Sequence, residues 1–377
     1  MTDIGIVFPR ANLLGGVERV AWDLLNYLGL RYQAAFVGEE LLPTESPNVQ
    51  HFRVDPRPTP TSLRPLAFRR AVERTLRGRR PRRLVTMGAV CPPGDVLWVQ
   101  SVHRAWLASS SAIRVGPVHV PASARRLKPW HQTLLALERQ YFTRSDPQWI
   151  LCTSQREADD LVHYYDAPHE RMVVVPNGFD GQRFNLQRRC DLRDEMRQRL
   201  GIADHEIALL FVANELHRKG FVQTVQAIAA LRDQHFSLHV VGRAPLDAYA
   251  TEIARLGVGD RVRYHGPTDR VEDFHAAADA LVLPTQYEPF GLVIIEAMAS
   301  GLPVVTTKLA GAAGAIDDGV SGLLQSDPYD VEELSSLLAR LQEPAVREEM
   351  GEHAAKAAAG YEWGQVFQMA EPYLMGA

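Results

Sequence analysis

Short apolar runs alternate with amphipathic segments along almost the whole chain. In the first half, the runs that predict strands are IGIVFP, AAFVG, RLVTM, DVLWVQS, WILCTS and MVVVP. After a polar segment the pattern restarts with IALLFVAN, FSLHVVG, RVRYHG, ALVLPT, LPVVTT and SGLLQ. Short strands that alternate with helices are typical of α/β proteins with parallel sheets. We therefore predict two doubly wound, Rossmann-like halves.

The segment PNGFDGQRF (176–184) is rich in turn-forming residues and lies near the midpoint, so we place the hinge between the two domains there. A helix from about Val17 to Leu28 is expected after the first strand. In the second half, helices are expected to begin near Phe221, Leu246, Val271, Phe290, Ala312 and Val331. Ligands of open α/β sheets bind beyond the carboxyl ends of the strands, which favours a site in the cleft between the two domains.

The stretch LVLPTQYEPFGLVIIEAMASGLPVVTT (281–307) predicts strand, loop, helix, turn and strand. Its helix, roughly Gly291 to Ser300, is apolar almost all round and is therefore expected to be buried. The helix nevertheless carries Glu296, and the loop before it carries Glu288. A buried ionised carboxylate costs several kcal/mol unless something pairs with it. Two partners suit Glu296: a pair of sugar hydroxyls, or a structural Arg or Lys.

The stretch LLFVANELHRKGF (209–221) places two adjacent cations at a helix start near Gly220. The amino end of a helix disfavours cations, because the helix dipole is positive there. Arg218 and Lys219 make sense at this point if a multiply charged anion lies among them. A diphosphate fits, with Arg as a fork and Lys as a point charge. The alternative is a solvated surface pair.

Two further candidates lie in the first half. In RANLLGGVERV (10–20), Gly15 and Gly16 separate the first strand from the first helix and would let the backbone approach a ligand closely. Glycines are common in such loops, and the dinucleotide pattern G-x-G-x-x-G is absent. In VLWVQSVHRAW, His103 follows a strand end. A lone histidine is more often structural than functional, and both interpretations stay open.

The composition is that of a soluble globular protein, with 46% hydrophobic and 23% charged residues among 377. The amino-terminal MTDIGIVFPR does not resemble a secretory signal. The three cysteines, Cys91, Cys152 and Cys190, fit neither a metal site nor a disulfide framework. We expect a reduced, cytoplasmic protein. The sequence shows no paired Asp motif or His/Cys cluster, so no metal or cofactor is expected.

The net charge of −4 is unevenly spread. Residues 1–180 carry 23 Lys and Arg against 17 Asp and Glu, whereas the remainder carries 18 against 28. Nine arginines lie between Arg64 and Arg83. This stretch predicts either a solvated helix and loop or a surface for an anionic acceptor or an anionic membrane face. Nucleic acid is not an expected partner, because no binding module is present.

Taken together, these motifs resemble the retaining, nucleotide-sugar-dependent glycosyltransferases of the GT-B fold, family 4. The most specific part is EPFGLVIIEAMASGLPVVTT, which matches the E-x7-E signature with Glu288 and Glu296. VPNGFD is similar to the family's interdomain segment, RKG to its phosphate clamp and GGVER to its glycine loop. YEWGQVFQMAEPYL resembles its final helix, which crosses back to the first domain. The implied domains are an acceptor-binding domain over 1–176, a donor-binding domain over 177–360 and a final helix over 361–377.

The resemblance also implies residue roles. Arg218 and Lys219 would hold the donor diphosphate, Glu296 the ribose hydroxyls and Glu288 the donor sugar, and His103 would lie near the sugar. Of these five residues, Glu288, Lys219, Arg218 and His103 define the expected catalytic centre, and Glu296 belongs to the expected donor-binding set. The further positions implied for donor binding are Gly15, Gly16, Asn214, Gly242, Arg243, Tyr264, His265, Pro289, Phe290, Gly291 and Leu292.

The implied reaction moves a hexose from a UDP- or GDP-linked donor to an unidentified acceptor, with retention and without a metal. The sequence departs from the common family pattern at Asn214, which occupies an arginine position, and at Gly314, where Glu is frequent. Arg218 could supply the missing arginine. A non-catalytic nucleotide-sugar-binding protein and a GT-B epimerase are the alternatives. The acceptor regions are expected in the Arg64–Arg83 stretch and in SSSAIRVGPVHVPASARR (109–126).

Overall fold

A computed structural model of the chain describes residues 2–13, 15–109, 127–143, 147–232 and 235–376. The chain divides into two compact units. The first comprises Met1–Asn177 together with Trp363–Ala377, and the second comprises Gly178–Glu362.

The first unit is built on a seven-stranded parallel sheet of order β5-β3-β1-β6-β7-β8-β9, with a two-stranded β2-β4 ladder beside it. The strands are β1 (Ile4–Val7), β2 (Arg10–Ala11), β3 (Ala34–Gly38), β4 (Glu40–Leu41), β5 (Val49–Arg53), β6 (Arg83–Met87), β7 (Val96–Trp98), β8 (Trp149–Cys152) and β9 (Met172–Val174). Every residue of β1 and β3 is buried, as expected for central strands covered on both faces.

The helices of the first unit are α1 (Gly16–Gly29), α2 (Arg64–Thr75), α3 (His103–Ser109), α4 (Pro129–Phe142), α5 (Gln155–Tyr165) and, at the end of the chain, α13 (Trp363–Met375). Helix α13 buries Val366 and Leu374. Its Glu371 accepts hydrogen bonds from the hydroxyls of Tyr27 at 2.8 Å and Tyr32 at 2.5 Å. These contacts tie the last helix to α1 and explain why it belongs to the first unit.

The second unit contains a six-stranded parallel sheet of order β12-β11-β10-β13-β14-β15. Its strands are β10 (Ile207–Val212), β11 (Phe236–Val241), β12 (Val262–Gly266), β13 (Ala280–Leu283), β14 (Val304–Thr307) and β15 (Leu323–Gln325). Its helices are α6 (Leu186–Leu200), α7 (Phe221–Ala230), α8 (Ala250–Leu256), α9 (Val271–Ala277), α10 (Leu292–Ala299), α11 (Val331–Arg340) and α12 (Pro344–Ala358). In both sheets the order reverses beside the first strand of the unit, which is the doubly wound arrangement.

One predicted helix was wrong and another begins late. No α-helix begins near Ala312, where a 3₁₀ turn (Gly311–Ala315) lies instead. A 3₁₀ turn at Asp247–Tyr249 precedes α8, whereas α10 begins at Leu292, two residues from the expected start near Phe290. Strand β5 was not predicted, because its residues are exposed or half-buried at the sheet edge and show no apolar run. Among the described residues, none of the helices combines the length and apolar character that crossing a membrane requires.

Candidate active site

Arg218 and Lys219, the predicted cations, lie at the start of α7. The helix start packs against the carboxyl end of β13. Gly220 caps this helix with φ of +81°. A Cβ at this position would lie 2.3 Å from the Pro284 carbonyl oxygen. Only glycine therefore permits both the left-handed backbone and the close approach. As a result, Arg218 and Lys219 are brought beside the loop that carries Glu288.

Lys219, Arg218 and Glu288 form one ionic cluster. The Lys219 ammonium is in direct contact with the Glu288 carboxylate. Arg218 Nη1 lies 3.7 Å from the same carboxylate. The three side chains are only 12–13% exposed. The structure thus brings together three of the four residues predicted for catalysis, and it pairs the cations with a carboxylate of the same unit.

Arg218 is held by its neighbours as well as by charge. Its Nε donates to the Glu215 carboxylate at 2.9 Å, and Nη1 donates to the Tyr287 carbonyl. The Arg218 carbonyl accepts the Gln286 backbone N–H at 2.9 Å. A guanidinium restrained at both ends loses little further freedom on gripping an anion, so this arginine is preorganised.

Opposing effects act on the protonation of Lys219. Burial, together with the charge of Arg218, lowers its pKa, and Glu215 acts to raise it. The direct contact with the Glu288 carboxylate also favours the ammonium form. We treat Lys219 and Glu288 as an ion pair, because an opposite charge in contact offsets the cost of burial for both partners.

The loop that contains Glu288 lies against the 3₁₀ turn that follows β14. Gly311 N–H donates to the Glu288 carbonyl at 2.9 Å, and Ala312 N–H donates to the Phe290 carbonyl at 2.8 Å. A Cβ on Gly311 would lie 1.9 Å from the Pro289 carbonyl oxygen, so the two loops can meet only at a glycine. These two hydrogen bonds join the Glu288 loop to the 3₁₀ turn Gly311–Ala315, which lies where an α-helix was predicted.

Helix α10 begins after Gly291, whose φ is +101°. The first N–H groups of an α-helix have no partner within the helix, and they attract anions. Leu292 is half-buried at this helix start. The structure therefore places Pro289, Phe290, Gly291 and Leu292 on one loop and helix start, next to Glu288.

Glu296 is buried, with 5% exposure, as the apolar helix predicted. Arg183 of the same unit donates to the Glu272 carboxylate at 2.5 Å and to the Asp269 carbonyl at 2.8 Å. Burial acts to lower the pKa of Arg183, but the bond and charge of Glu272, with a further contribution from the charge of Glu296, raise it overall. Attraction to Arg183 thus offsets part of the cost of burying Glu296.

Four of the predicted donor-binding residues, Asn214, Gly242, Arg243 and Tyr264, meet at the carboxyl ends of β10, β11 and β12. The Asn214 side-chain oxygen accepts the Arg243 backbone N–H at 3.0 Å, and the Tyr264 hydroxyl donates to the Gly242 carbonyl at 2.9 Å. A Cβ on Gly242 would lie 1.9 Å from the Ala213 carbonyl oxygen, which explains this glycine.

His265 lies apart from this group. Its Nε2 is 3.0 Å from Nδ1 of the buried His239, and the two rings are stacked. Successive side chains of a strand point to opposite faces, so His265 and Tyr264 diverge. Burial lowers the pKa of His265, with a further contribution from the charge of Arg263. Burial, followed by His265, lowers the pKa of His239 to about 4. The structure shows His265 as a packing partner of His239.

His103 lies in the first unit, where it begins α3 after the end of β7. Its Nε2 is 2.9 Å from His131 Nδ1, and its ring stacks on Trp106. Burial, followed by the neighbouring His131, lowers the pKa of His103 to about 4. The imidazole is therefore neutral at pH 7. The carboxylate of Glu138 accepts the His103 backbone N–H and thereby fixes this helix start.

The glycine loop is also found in the first unit, with Gly15 capping α1 and Gly16 as its first residue. No side chain supplies a cap there. The arginine-rich stretch forms α2 and the turn after it. Most of its arginines are exposed, but Arg69 is buried and donates to the Ala89 carbonyl at 2.6 Å. Of the other predicted acceptor region, residues 110–126 lie outside the described part of the chain.

Sequence reasoning missed the residues that position the predicted ones. Tyr287, Glu215 and Gln286 hold Arg218, largely through backbone atoms that a sequence pattern does not reveal. Glu138 and His131 hold His103 from a helix that gave no signal of its own. In the described ranges, no group of three or more His, Cys, Asp or Glu is placed to hold a metal ion.

Comparison with solved structures identifies the fold. The crystal structure of WaaG, described as a glycosyltransferase involved in lipopolysaccharide biosynthesis, matches with a TM-score of 0.85 and 22% identity, over 99% of this chain and 100% of that one. Anabaena HepE in complex with UDP and glucose matches with a TM-score of 0.69 and 20% identity over the full length of both chains. The predicted GT-B fold is confirmed.

The family follows from sequence profiles. The profile of Glycosyltransferase Family 4 matches residues 14–183, and that of Glycosyl transferases group 1 matches residues 193–357. Lipopolysaccharide glucosyltransferase WaaG of Escherichia coli K12 is 29% identical over 216 residues, which are 56% of this chain and 58% of that protein. The match thus spans less than two thirds of this relative's length. The chain belongs to the group 1, family 4 glycosyltransferases.

Proposed function

We propose that the protein transfers a hexose from a nucleotide-diphosphate sugar to an acceptor hydroxyl, with retention at the anomeric carbon. The observation that carries this proposal is the meeting of Arg218 and Lys219 with Glu288 at the start of α7. A family member with two preorganised cations at a helix start is suited to stabilise a departing diphosphate. HepE, a solved structure of the same fold, is described in complex with UDP and glucose, which favours UDP over GDP as the first donor to test.

In the proposed complex, the diphosphate replaces Glu288 as the partner of Lys219. The ammonium then contacts a phosphate oxygen, and the carboxylate of Glu288 is released to accept hydrogen bonds from sugar hydroxyls. Arg218 keeps its bond to Glu215 and offers its other nitrogens to the diphosphate. The backbone N–H groups at Gly291 and Leu292 supply further donors at the start of α10.

The remaining positions would recognise the nucleoside. Glu296 would accept the ribose hydroxyls, because a carboxylate accepts two hydrogen bonds. Asn214, Arg243 and Tyr264 would lie by the base. We further propose that His103 and Gly16 contribute from the first unit.

The proposed reaction balances without a covalent intermediate on the protein. The bond between the anomeric carbon and the diphosphate oxygen breaks, and a bond forms from the acceptor oxygen to the same face of that carbon. The acceptor proton passes to the departing diphosphate oxygen. Arg218, Lys219 and the helix amide groups share the developing negative charge, and we propose that no metal ion is needed.

The test is release of nucleoside diphosphate from UDP-glucose, UDP-galactose and GDP-mannose by the wild-type chain. Turnover in the presence of an acceptor, with a product of unchanged anomeric configuration by NMR, supports the proposal. Binding of UDP without turnover of any of the three donors supports the non-catalytic alternative instead. A nucleotide sugar returned with an inverted ring carbon and no UDP released identifies an epimerase.

A further inference from the structure

A cavity of about 540 Å³ opens in the first unit, and among the residues assigned above its lining includes only Arg64, the first residue of the arginine-rich stretch. It lies beyond the carboxyl ends of β1, β3 and β5, which is where open α/β sheets bind ligands. Its size falls in the range of small-molecule sites, roughly 300–1,000 Å³. Its lining includes four arginines, Arg10, Arg53, Arg57 and Arg64, together with three carboxylates.

The backbone around the cavity is fixed by hydrogen bonds. The short β2-β4 ladder pairs Arg10 with Glu40. Glu39 N–H donates to the Pro9 carbonyl at 2.8 Å, and Val54 N–H donates to the Gly38 carbonyl at 2.8 Å. The charged side chains therefore project from a rigid frame, and a ligand would not have to order the loops that carry them.

Two of the ion pairs in the cavity are loose and exposed, whereas Arg64 donates a hydrogen bond to Glu39 at 3.1 Å. Arg10 lies 3.7 Å from Glu40, Arg53 lies 3.3 Å from Asp55, and the side chains of these two pairs are between 51% and 80% exposed. Exposed pairs of this kind contribute about 0–1 kcal/mol, so a ligand can exchange for either partner at little cost. Among the described residues, Arg57 has neither an ion-pair nor a hydrogen-bond partner.

Arg57 is nevertheless held in place by its neighbours in the chain. It lies between Pro56 and Pro58 in the segment DPRPTP (55–60), and both prolines line the cavity. Proline fixes φ, and a proline also restricts the residue before it. A stiff segment that presents an unpaired guanidinium to a cavity has a ready-made position for an anionic group.

We propose that this cavity binds an anionic sugar or polyol, which is the acceptor of the transfer reaction. The role of acceptor rests on the proposed function, whereas the binding of an anionic sugar is inferred from the cavity alone. Arg57 and Arg53 would take the anionic group as guanidinium forks. Glu39, Glu40 and Asp55 would accept hydrogen bonds from hydroxyls, which a purely basic surface could not do.

The test is calorimetric titration of the full chain with glucose 6-phosphate, glucuronic acid and glucose, each with and without saturating UDP. We expect the anionic sugars to bind at least tenfold more tightly than glucose. Arg57→Ala should weaken their binding by about tenfold or more, since a hydrogen bond to a charged group is lost. The matched control is Arg77→Ala, which removes an exposed arginine just after α2 that does not line the cavity.

A stronger response to glucose 6-phosphate than to glucuronic acid identifies a phosphate as the anion, and the reverse order identifies a carboxylate. Equal losses in the two arginine variants, or no binding of either anionic sugar at millimolar concentration, would overturn the inference. The same experiment measures UDP binding separately. If the chain binds anionic sugars but not UDP, the inference about the cavity is supported and the proposed function is wrong.

Discussion

The carboxylate of Glu138 accepts hydrogen bonds from the backbone N–H groups of His103 at 2.5 Å and of Arg104 at 3.0 Å. The Tyr165 hydroxyl donates to the same carboxylate at 2.5 Å. Glu138 is only 2% exposed. It therefore joins α3, α4 and α5 and sets the position of His103. Burial raises the pKa of Glu138 to about 7, although its three hydrogen bonds act to lower it.

This pKa gives a stability prediction for Glu138→Gln. A carboxyl whose pKa is raised on folding stabilises the fold fully below its unfolded value, near 4.5, and that contribution is lost as the pH rises through about 7. The wild type should therefore lose melting temperature relative to the variant between pH 5 and pH 8. Thermal unfolding across this range measures the difference.

Glu157 provides the matched control for that variant. Burial likewise raises its pKa to about 7, but its carboxylate accepts from the N–H and hydroxyl of Thr153. Glu157→Gln should change the pH dependence of stability in the same direction. Only Glu138→Gln should also lower donor turnover, by roughly tenfold, if His103 acts as proposed. Equal turnover in both variants would contradict a positioning role for Glu138.

His275 predicts the opposite dependence on pH. It is buried beside Phe184, and among the described residues neither ring nitrogen has a hydrogen-bond partner. Burial, with smaller contributions from Arg189 and Arg183, lowers its pKa to about 3. A histidine of this kind stabilises the fold above its unfolded pKa, near 6.5, and the contribution is lost as the pH falls.

We therefore expect His275→Phe to gain stability relative to the wild type on acidification, by roughly 2 kcal/mol between pH 7 and pH 5. Denaturant unfolding at the two values measures the change. His163→Phe, at an exposed position on α5, should show no such difference. The prediction is wrong if the two variants respond to pH alike.

The site could be predicted from the sequence where chemistry and local pattern coincide. The apolar helix with Glu296, the loop with Glu288 and the pair Arg218–Lys219 are each recognisable from a short stretch of sequence. The structure brings Glu288, Arg218 and Lys219 together. Contacts between distant segments could not be predicted in this way. The bond from Arg218 to the Tyr287 carbonyl involves the backbone, which carries no residue-specific signal.

The error at Ala312 has a similar cause. The segment LAGAAGAIDDG has the small apolar residues of a helix, but its course depends on Gly311 lying against Pro289. That contact joins residues from two different loops and leaves only a 3₁₀ turn. Tertiary packing overrides local preference wherever a loop is fixed by another loop, and active-site loops are often of this kind.

Substitutions at Gly220 and Gly201 test whether the loop that carries Arg218 and Lys219 requires a glycine at its end. Both have a left-handed backbone, with φ of +81° and +65°, but only at Gly220 does an added Cβ meet another atom, the Pro284 carbonyl oxygen. Gly201→Ala should cost roughly 1 kcal/mol from backbone strain. Gly220→Ala should cost at least about 1 kcal/mol more, because the loop must also move. Chemical denaturation compares them, and equal costs would show that the close approach is unimportant.

Metal removal tests the proposed electrostatics. If Arg218, Lys219 and the helix amides carry the leaving-group charge, turnover should be unchanged in excess EDTA and after addition of Mg²⁺ or Mn²⁺. Initial rates of UDP release measure this directly. Loss of turnover in EDTA that Mn²⁺ restores would mean that a metal ion takes part, and the role given to the two cations would then be too large.

Lys219→Ala examines the residue on which the proposed chemistry most depends. Removing a preorganised group that stabilises transition-state charge typically lowers kcat by about 10²–10³-fold. The same variant also removes the contact partner of the Glu288 carboxylate and leaves, among the described residues, only Arg218, at 3.7 Å. We therefore expect the loss in turnover to come with weaker UDP binding and with a lower melting temperature, because a largely buried carboxylate loses its ion-pair partner. Lys356 is an exposed lysine of the same unit on α12, so Lys356→Ala is the control and should leave turnover and UDP binding unaltered.

The double variant Lys219→Ala with Glu288→Gln separates the loss of the Lys219 ammonium from the effect of the Glu288 carboxylate. If the Glu288 carboxylate that has lost Lys219 causes the weaker UDP binding, the double variant recovers UDP binding but not turnover. Recovery of full turnover in the double variant would exclude Lys219 from the transfer step.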